Sequence, residues 1–293
     1  MDYWIPLLQQ QPWLFVAGTA LLGLIIGSFL NVVIHRLPLI MDRDWRQECQ
    51  EYCQQPVTMP DLPSPFNLAV PRSRCGHCQT PIPARHNIPV LSFLLLKGRC
   101  HHCRGPIGWR YPMVELLTGI LSATLAWHFG PSLTFLALWL LTLGLIALAF
   151  IDADTMLLPD QITLPLLWAG LLFNLYGGLV PLEAAVIGAA FGYLSLWSVF
   201  QGFKLLTGKE GMGYGDFKLL ALFGAWLGWQ PLLLIILLSS VLGAIFGLGQ
   251  MALGKLNRDH PMPFGPWIII AGWVAILWGN DIIRWYLNRM LGL

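Results

Sequence analysis

The sequence predicts an all-α polytopic membrane protein of about eight transmembrane helices, with a small zinc-stapled cytoplasmic domain inserted between the first and the second. Three observations carry this expectation. The 293 residues are 56% hydrophobic and only 11% charged, with 14 Trp, whereas soluble globular chains are near a quarter charged. Runs of about 20 apolar residues, each able to span a hydrocarbon core about 30 Å thick, recur along the chain. Four of the 6 cysteines fall in two C-x-x-C pairs inside the one sizeable polar stretch.

The first run covers 13–35. No Lys or Arg precedes Trp13, and the first basic residue, Arg36, follows the run. The basic n-region of a signal peptide is missing and the run is too long for an h-region, so it reads as a retained helix with its N-terminus outside. Further spans are expected over 113–129, 132–151, 160–177, 182–203, 216–229, 232–253 and 265–287. Breakers separate them: Gly130-Pro131, Pro159, Gly177-Gly178 with Pro181, the glycines of 211–215, Gln230-Pro231, and Pro261, Pro263 and Pro266. The sixth span is the shortest, and the side of the C-terminus depends on its crossing.

Charge placement tests this order. With the N-terminus outside, 36–112, 152–159, 204–215 and 254–264 lie inside. Together with Lys218 at the inner end of span six they hold 15 of the 17 Lys and Arg, leaving Arg284 and Arg289 outside. This is the positive-inside pattern, and it puts both termini in the periplasm. The basic residues form no aromatic-interleaved stripe, which argues against nucleic acid as a partner.

The polar stretch 36–112 is short for an independent core and needs a staple. Cys75 and Cys78, in "CGHC", and Cys100 and Cys103, in "CHHC", supply one. Two C-x-x-C pairs with 21 residues between them bring four thiolates within reach of one tetrahedral Zn²⁺. A pair of disulfides is the alternative, disfavoured on a cytoplasmic side. Four cysteines fill the shell, so His77, His101 and His102 read as bystanders. Cys49 and Cys53, at i and i+4, read as two free thiols on a short amphipathic helix.

Carboxylates in or beside apolar spans are costly and need a reason. Five follow the loop toward the inner face, Glu115, Asp152, Asp154, Asp160 and Asp216, while Glu183 and Asp281 lie near the outer surface, where solvation explains them. Glu115 reads first as a helix-start charge favoured by the dipole, and second as a polar contact to the loop domain. Asp152, Asp154 and Asp160 belong to "IDADTMLLPD", at the inner end of span three. Asp216 opens span six at the same inner face. Two carboxylates facing each other across a water divide into one acid and one base, the requirement of aspartic-protease chemistry. Charges capping helices at a wet interface are the alternative, and spacing does not choose among the three acids of the first segment.

"GMGYGDFKLL" (211–220) contains G-x-G-D at Gly213, Gly215 and Asp216. With "GSFLNVVIHRLP" (27–38), the knuckles around "NIPVLSFLLLKGRC" (87–100), "RYPMVELLTG" (110–119) and "IDADTMLLPD" (151–160), the chain resembles the bacterial type IV prepilin peptidases. These are GxGD-type membrane aspartyl proteases that combine leader peptidase and N-methyltransferase. The resemblance covers nearly the whole chain, in order. It implies that Asp152 and Asp216 form the catalytic pair. The implied substrates are prepilins or pseudopilins of type IV pili or type II secretion. They are cut at the inner face of the bacterial inner membrane and then N-methylated with S-adenosylmethionine. It divides the chain into a helix (1–35), a zinc domain associated with methyl transfer (36–112) and a seven-helix peptidase domain (113–293).

On this reading Gly213 and Gly215, which can adopt positive φ and lack side chains, leave room for a substrate backbone beside Asp216. Lys218 either biases the pair or snorkels toward lipid phosphate. No G-x-G-x-x-G follows an expected strand, so the S-adenosylmethionine site has no visible motif. Two other readings remain. One is a peptidase without methyl transfer. The other is a membrane transporter or assembly protein whose aspartates line an ion path, although its acids would then be expected near the midplane.

Overall fold

The computed structural model describes residues 11–54, 57–209, 211–254 and 262–291. The side assigned to the extreme N-terminus and most of the 254–264 loop, Pro261 included, lie outside the described residues. In chain order the helices are α1 (Pro12–Cys53), the short α2 (Leu91–Leu95), α3 (Arg110–Phe129), α4 (Leu133–Thr155), α5 (Asp160–Leu175), α6 (Leu182–Thr207), α7 (Tyr214–Leu227), α8 (Leu232–Ala252) and α9 (Gly265–Leu291). Each run expected to span is helical. Of these, α1, α4, α6, α8 and α9 are long and apolar enough to cross a bilayer. The chain is therefore a polytopic all-α membrane protein, with a cysteine cluster between its first two long helices. The 20-, 16- and 14-residue helices α3, α5 and α7 do not meet both conditions.

The chain divides into two compact units, Met1–Ala147 and Leu148–Leu293, with α4 running from one into the other. In the first unit α1 and α3 pack backbone to backbone. A Cβ on Gly27 of α1 would stand 2.8 Å from Glu115 Cα, and one on Gly23 would stand 2.8 Å from Ser122 Cβ. Small residues allow this approach, which is how helices gain contact where lipid offers no hydrophobic drive. Asn31 Nδ2 donates to the Tyr111 carbonyl at 3.1 Å, and Trp139 Nε1 of α4 donates to Ser122 Oγ at 2.7 Å.

The first helix does not stop at residue 35. It runs through Pro38 to Cys53. Side chains brace the extension: Arg36 donates to the carbonyls of Asn67 (2.8 Å) and Pro71 (2.6 Å), and Arg46 pairs with Asp42 one turn back at 2.9 Å. An i, i+4 ion pair and two anchored carbonyls offset the one backbone donor that Pro38 removes. Cys49 and Cys53 thus ride on the last turns of this long helix, not on a short separate one, and both are free thiols.

The cysteine knuckles are an internal repeat, R-C-x-H-C-x-x-P-I, at Arg74–Ile82 and again at Arg99–Ile107. Their backbones repeat too. Arg74 bridges to Pro81 and Arg99 to Pro106. The N–H groups of Gln79 and Arg104 return to the carbonyls of Cys75 (2.9 Å) and Cys100 (3.0 Å). Gln79 and Arg104 both take positive φ, 56° and 59°.

In the second unit α7 is the buried axis: from Phe217 to Leu227 every residue but Lys218 is buried. Helix α6 reaches it through glycine, since a Cβ on Gly192 would stand 2.7 Å from the Leu220 carbonyl oxygen. Helix α5 is tied to it by polar contacts. Trp226 Nε1 donates to the Leu166 carbonyl (2.9 Å), and Asn174 Nδ2 donates to that of Ala225 (2.8 Å). A short helix can sit at the centre because its neighbours, not its length, supply the burial.

Candidate active site

Asp152 lies near the end of α4, in the part of that helix belonging to the second unit. It is 4% exposed, and its Oδ2 accepts the N–H of Gly265, the first residue of α9, at 3.0 Å. Asp216 is 7% exposed and stands in the first turn of α7, behind the N-cap Gly213, to whose carbonyl its own N–H donates at 3.2 Å. A carboxylate in a helix's first turn faces the positive end of the dipole. The Asp152 carboxylate is close enough to act on Asp216 electrostatically. Leu158 also links the two sides. A Cβ on Gly215 would meet Leu158 Cβ at 2.8 Å, and one on Gly265 would meet Leu158 Cδ1 at 3.4 Å.

The three acids that spacing left open separate by environment. Only Asp152 is buried; Asp154 and Asp160 are exposed. Asp160 accepts Lys218 Nζ on both oxygens, at 2.7 and 2.8 Å. Lys218 therefore neither faces the buried pair nor snorkels freely, as expected from sequence, because Asp160 at the start of α5 takes its charge.

Neither glycine of the motif uses its conformational freedom here. Gly213 is extended, with φ −81° and ψ 149°, and Gly215 is helical; neither has positive φ. What excludes a side chain at Gly215 is the Leu158 contact. Gly213 has open space where a Cβ would be.

Gly265 was missed by sequence reasoning. A Cβ there would stand 2.6 Å from Asp152 Oδ2. In sequence it is only the first residue of the last expected span, between Phe264 and Pro266. Glu115 also departs from its first reading. It is buried in the second turn of α3 and accepts the Val90 N–H at 2.7 Å, so it is a contact to the loop and not a helix-start charge.

In the first unit the Sγ atoms of Cys75, Cys78, Cys100 and Cys103 all lie within 4.8 Å of one another, and those of Cys75 and Cys103 are 3.8 Å apart. Metal–sulfur bonds of about 2.3 Å give a tetrahedron with edges of about 3.8 Å, so the donor set fits Zn²⁺. Hydrogen bonding with Thr80 pushes the Cys78 thiol down to about 6, and backbone N–H groups of Cys103 and His102 push Cys100 down. Both shifts favour the thiolate that a metal needs, whereas desolvation and the neighbouring thiols of Cys78, Cys100 and Cys75 push Cys103 up to about 11. The cluster includes none of the histidines, and His101 packs instead on His86 at 4.5 Å between ring centroids. Beyond isolated bridges no strand occurs among the described residues, so they form no strand–loop–helix cradle for S-adenosylmethionine.

Comparison with known proteins agrees with this picture. Residues 21–129 match the bacterial peptidase A24 N-terminal domain, and 139–248 match the type IV leader peptidase family. The prepilin leader peptidase/N-methyltransferase of Aeromonas salmonicida (strain A449) is 56% identical over 291 residues, covering 99% of this chain and 100% of its own. That of Aeromonas hydrophila is 58% identical over 280 residues, 96% of each chain. The protein of that name from Pseudomonas aeruginosa is 53% identical over 288 residues, 98% of this chain and 97% of its own. No solved structure matches the chain. By both family models and by these full-length relatives, the chain belongs to the type IV leader peptidase family.

Proposed function

We infer that this protein is a bifunctional enzyme of the bacterial inner membrane. As an aspartyl endopeptidase it removes the basic leader of type IV prepilins or pseudopilins at the cytoplasmic face. As an N-methyltransferase it then methylates the exposed amine, with S-adenosylmethionine as donor. The relatives' shared name, prepilin leader peptidase/N-methyltransferase, supports both halves.

The observation that carries the peptidase half is the pair of buried carboxylates at two helix ends, Asp152 and Asp216. Burial of two acids inside a membrane protein is costly and points to chemistry. One carboxylate takes a proton from water while the water oxygen bonds to the scissile carbonyl carbon. The other, protonated, donates a hydrogen bond to the carbonyl oxygen. The C–N bond then breaks and the nitrogen leaves with a proton as the new amine. The Gly265 N–H holds one oxygen of Asp152 and leaves the other for the water. The open side of Gly213 is where an extended substrate backbone approaches.

All eight helices other than the short α2 cross in this proposal, both termini are periplasmic, and 36–112 is cytoplasmic. The division is into 1–35, 36–112 and 113–293. Cys75, Cys78, Cys100 and Cys103 hold one zinc, which with four thiolates has no open position and staples the two knuckles. The family resemblance associates methyl transfer with this stapled region.

The decisive experiment is cleavage of a prepilin by the purified protein. Asp152→Asn and Asp216→Asn should each abolish it, and Asp154→Asn should not. Retained cleavage in either of the first two would remove the pair from the mechanism. Mass spectrometry of the product's new N-terminus reads the methyl group. Metal analysis should return about one zinc per chain, lost in Cys75→Ser or Cys100→Ser.

A further inference from the structure

The segment Ile88–Leu95 falls in the stretch that sequence assigns to the aqueous loop, yet its attachment lies deep. The Val90 N–H donates to Glu115 Oε2 at 2.7 Å. The Glu115 Cα would stand 2.8 Å from a Cβ on Gly27. Gly27 lies within the apolar run of α1, a helix long and apolar enough to cross a membrane. His35, the polar end of that run, is eight residues further on, about 12 Å along the helix axis. The N-terminus of α2 is therefore fastened to a level inside the hydrophobic run, not beyond its polar end.

The local backbone suits that depth. Val90 has φ 58° and ψ −47°, which a β-branched residue rarely adopts, and the Leu91 N–H closes a γ-turn onto the Pro89 carbonyl. Glu115 takes the Val90 N–H that this turn exposes. The buried Ser92 hydroxyl accepts the Ile88 N–H at 3.0 Å and donates to the Arg85 carbonyl at 3.3 Å. Beyond α2, the N–H groups of Leu96, Lys97, Gly98 and Arg99 all return to carbonyls of 92–96. Irregular backbone enters the apolar layer only when its polar groups are satisfied within the protein, and the N–H groups of Ile88, Val90, Leu91, Ser92, Leu94 and Leu96 to Arg99 have such partners.

The side chains are apolar and uncovered. Leu91, Leu94 and Leu95 are 48%, 62% and 72% exposed, and Trp109 stands beside them with its ring 4.8 Å from that of Phe93. Around them the sequence carries no Asp or Glu between Asp61 and Glu115, while Arg85, Lys97, Arg99 and Arg104 are exposed. An exposed apolar segment with a Trp, in a stretch whose exposed charges are all cationic, matches the chemistry of an anionic bilayer surface.

We propose that Ile88–Leu95 is a membrane-inserted hairpin that seats Leu91, Leu94 and Leu95 at the acyl–headgroup boundary and holds the cysteine cluster against the bilayer surface. Its partner is phospholipid, with anionic headgroups meeting the exposed Arg and Lys of the same stretch.

The test uses the full chain in vesicles of three parts phosphatidylethanolamine to one part phosphatidylglycerol. A photoreactive phenylalanine analogue replaces Leu94, or in a second variant Leu95, and adducts are identified by mass. A probe replacing Ile25, exposed on the apolar run of α1, is the lipid reference. One replacing Tyr52, at the far end of α1, is the aqueous reference. Lipid adducts at 94 and 95 should match the yield at 25 and exceed that at 52 several-fold. Yields at both positions equal to that at 52 would overturn the proposal. So would transfer of the adduct from lipid to an added prepilin, since the surface would then be a substrate groove. Retained zinc in both variants shows that the first unit is folded. None of these outcomes depends on cleavage, so failure here is distinct from failure of the peptidase assignment.

Discussion

The two units each bury a carboxylate in a similar setting, and the difference between the two is instructive. Glu115 in the first unit accepts the Val90 N–H at 2.7 Å, and Asp152 in the second accepts the Gly265 N–H at 3.0 Å. Both donors come from segments distant in sequence, and both acids sit near a helix end. The groups acting on Glu115, apart from its burial, are neutral: the Val90 backbone and the Ser28 side chain. Asp152 has a second buried carboxylate, Asp216, beside it. A lone carboxylate closed by hydrogen bonds is a brace. A paired one, with an oxygen left over, is suited to move a proton.

The strongest way to break this contrast is to neutralise each member. Asp152→Asn and Asp216→Asn should each lower prepilin cleavage on the order of 10³-fold or more, since an acid–base group contributes roughly 10²–10⁴-fold. Methylation of an already cleaved pilin should persist in both. Methylation lost together with cleavage would mean that the substitutions damage the fold.

Next is Gly265→Ala, which places a Cβ 2.6 Å from Asp152 Oδ2. Displacing the carboxylate by a fraction of an ångström should lower kcat by about 10- to 100-fold. KM for the prepilin should change by less than about threefold, because the contact is to a reacting group and not to bound substrate. A rise in KM with unchanged kcat would place Gly265 in substrate binding instead.

Glu115→Ala should leave cleavage nearly unchanged while stranding the Val90 N–H, at a cost of about 1–3 kcal/mol. Thermal unfolding and hydrogen exchange over 88–96 read the loss. Cleavage falling as far as in the aspartate variants would end the distinction between brace and reactive pair.

The smallest effect belongs to Lys218→Ala. Its pair with Asp160 is part-exposed, 30% and 51% at the two side chains, and such pairs contribute at most about 1 kcal/mol. The cleavage rate should stay within about twofold of wild type, as measured by initial rates at low and high salt.

Much of this architecture was legible in the chain itself. Apolar runs broken by Gly and Pro locate eight helices, five of them long and apolar enough to cross a bilayer, because a backbone in lipid must satisfy its own hydrogen bonds. The C-x-x-C spacing anticipated a four-sulfur cluster, because short knuckles leave their thiols few other arrangements. The extension of α1 was less visible, since Pro38 and the charges after it read as a stop, whereas Arg36 and Asp42–Arg46 sustain the helix. Gly265 gave no warning at all, because its role lies in a hydrogen bond across 113 residues.

The sequence alone determined that this is a membrane protein of many helices, that four cysteines can share one metal, and that acids gather at helix ends. These are consequences of local composition and spacing, which the solvent reads directly. Spacing left open which acid stands with Asp216; the resemblance named Asp152, and only tertiary structure shows the environment that sets it apart. Asp152, Asp154 and Asp160 are chemically identical, and only packing buries the first while Lys218 neutralises the third. The same holds for residues 88–95. Their depth is set by a Glu115–Val90 bond and a glycine contact between helices, since depth belongs to the folded chain and not to the residues that occupy it.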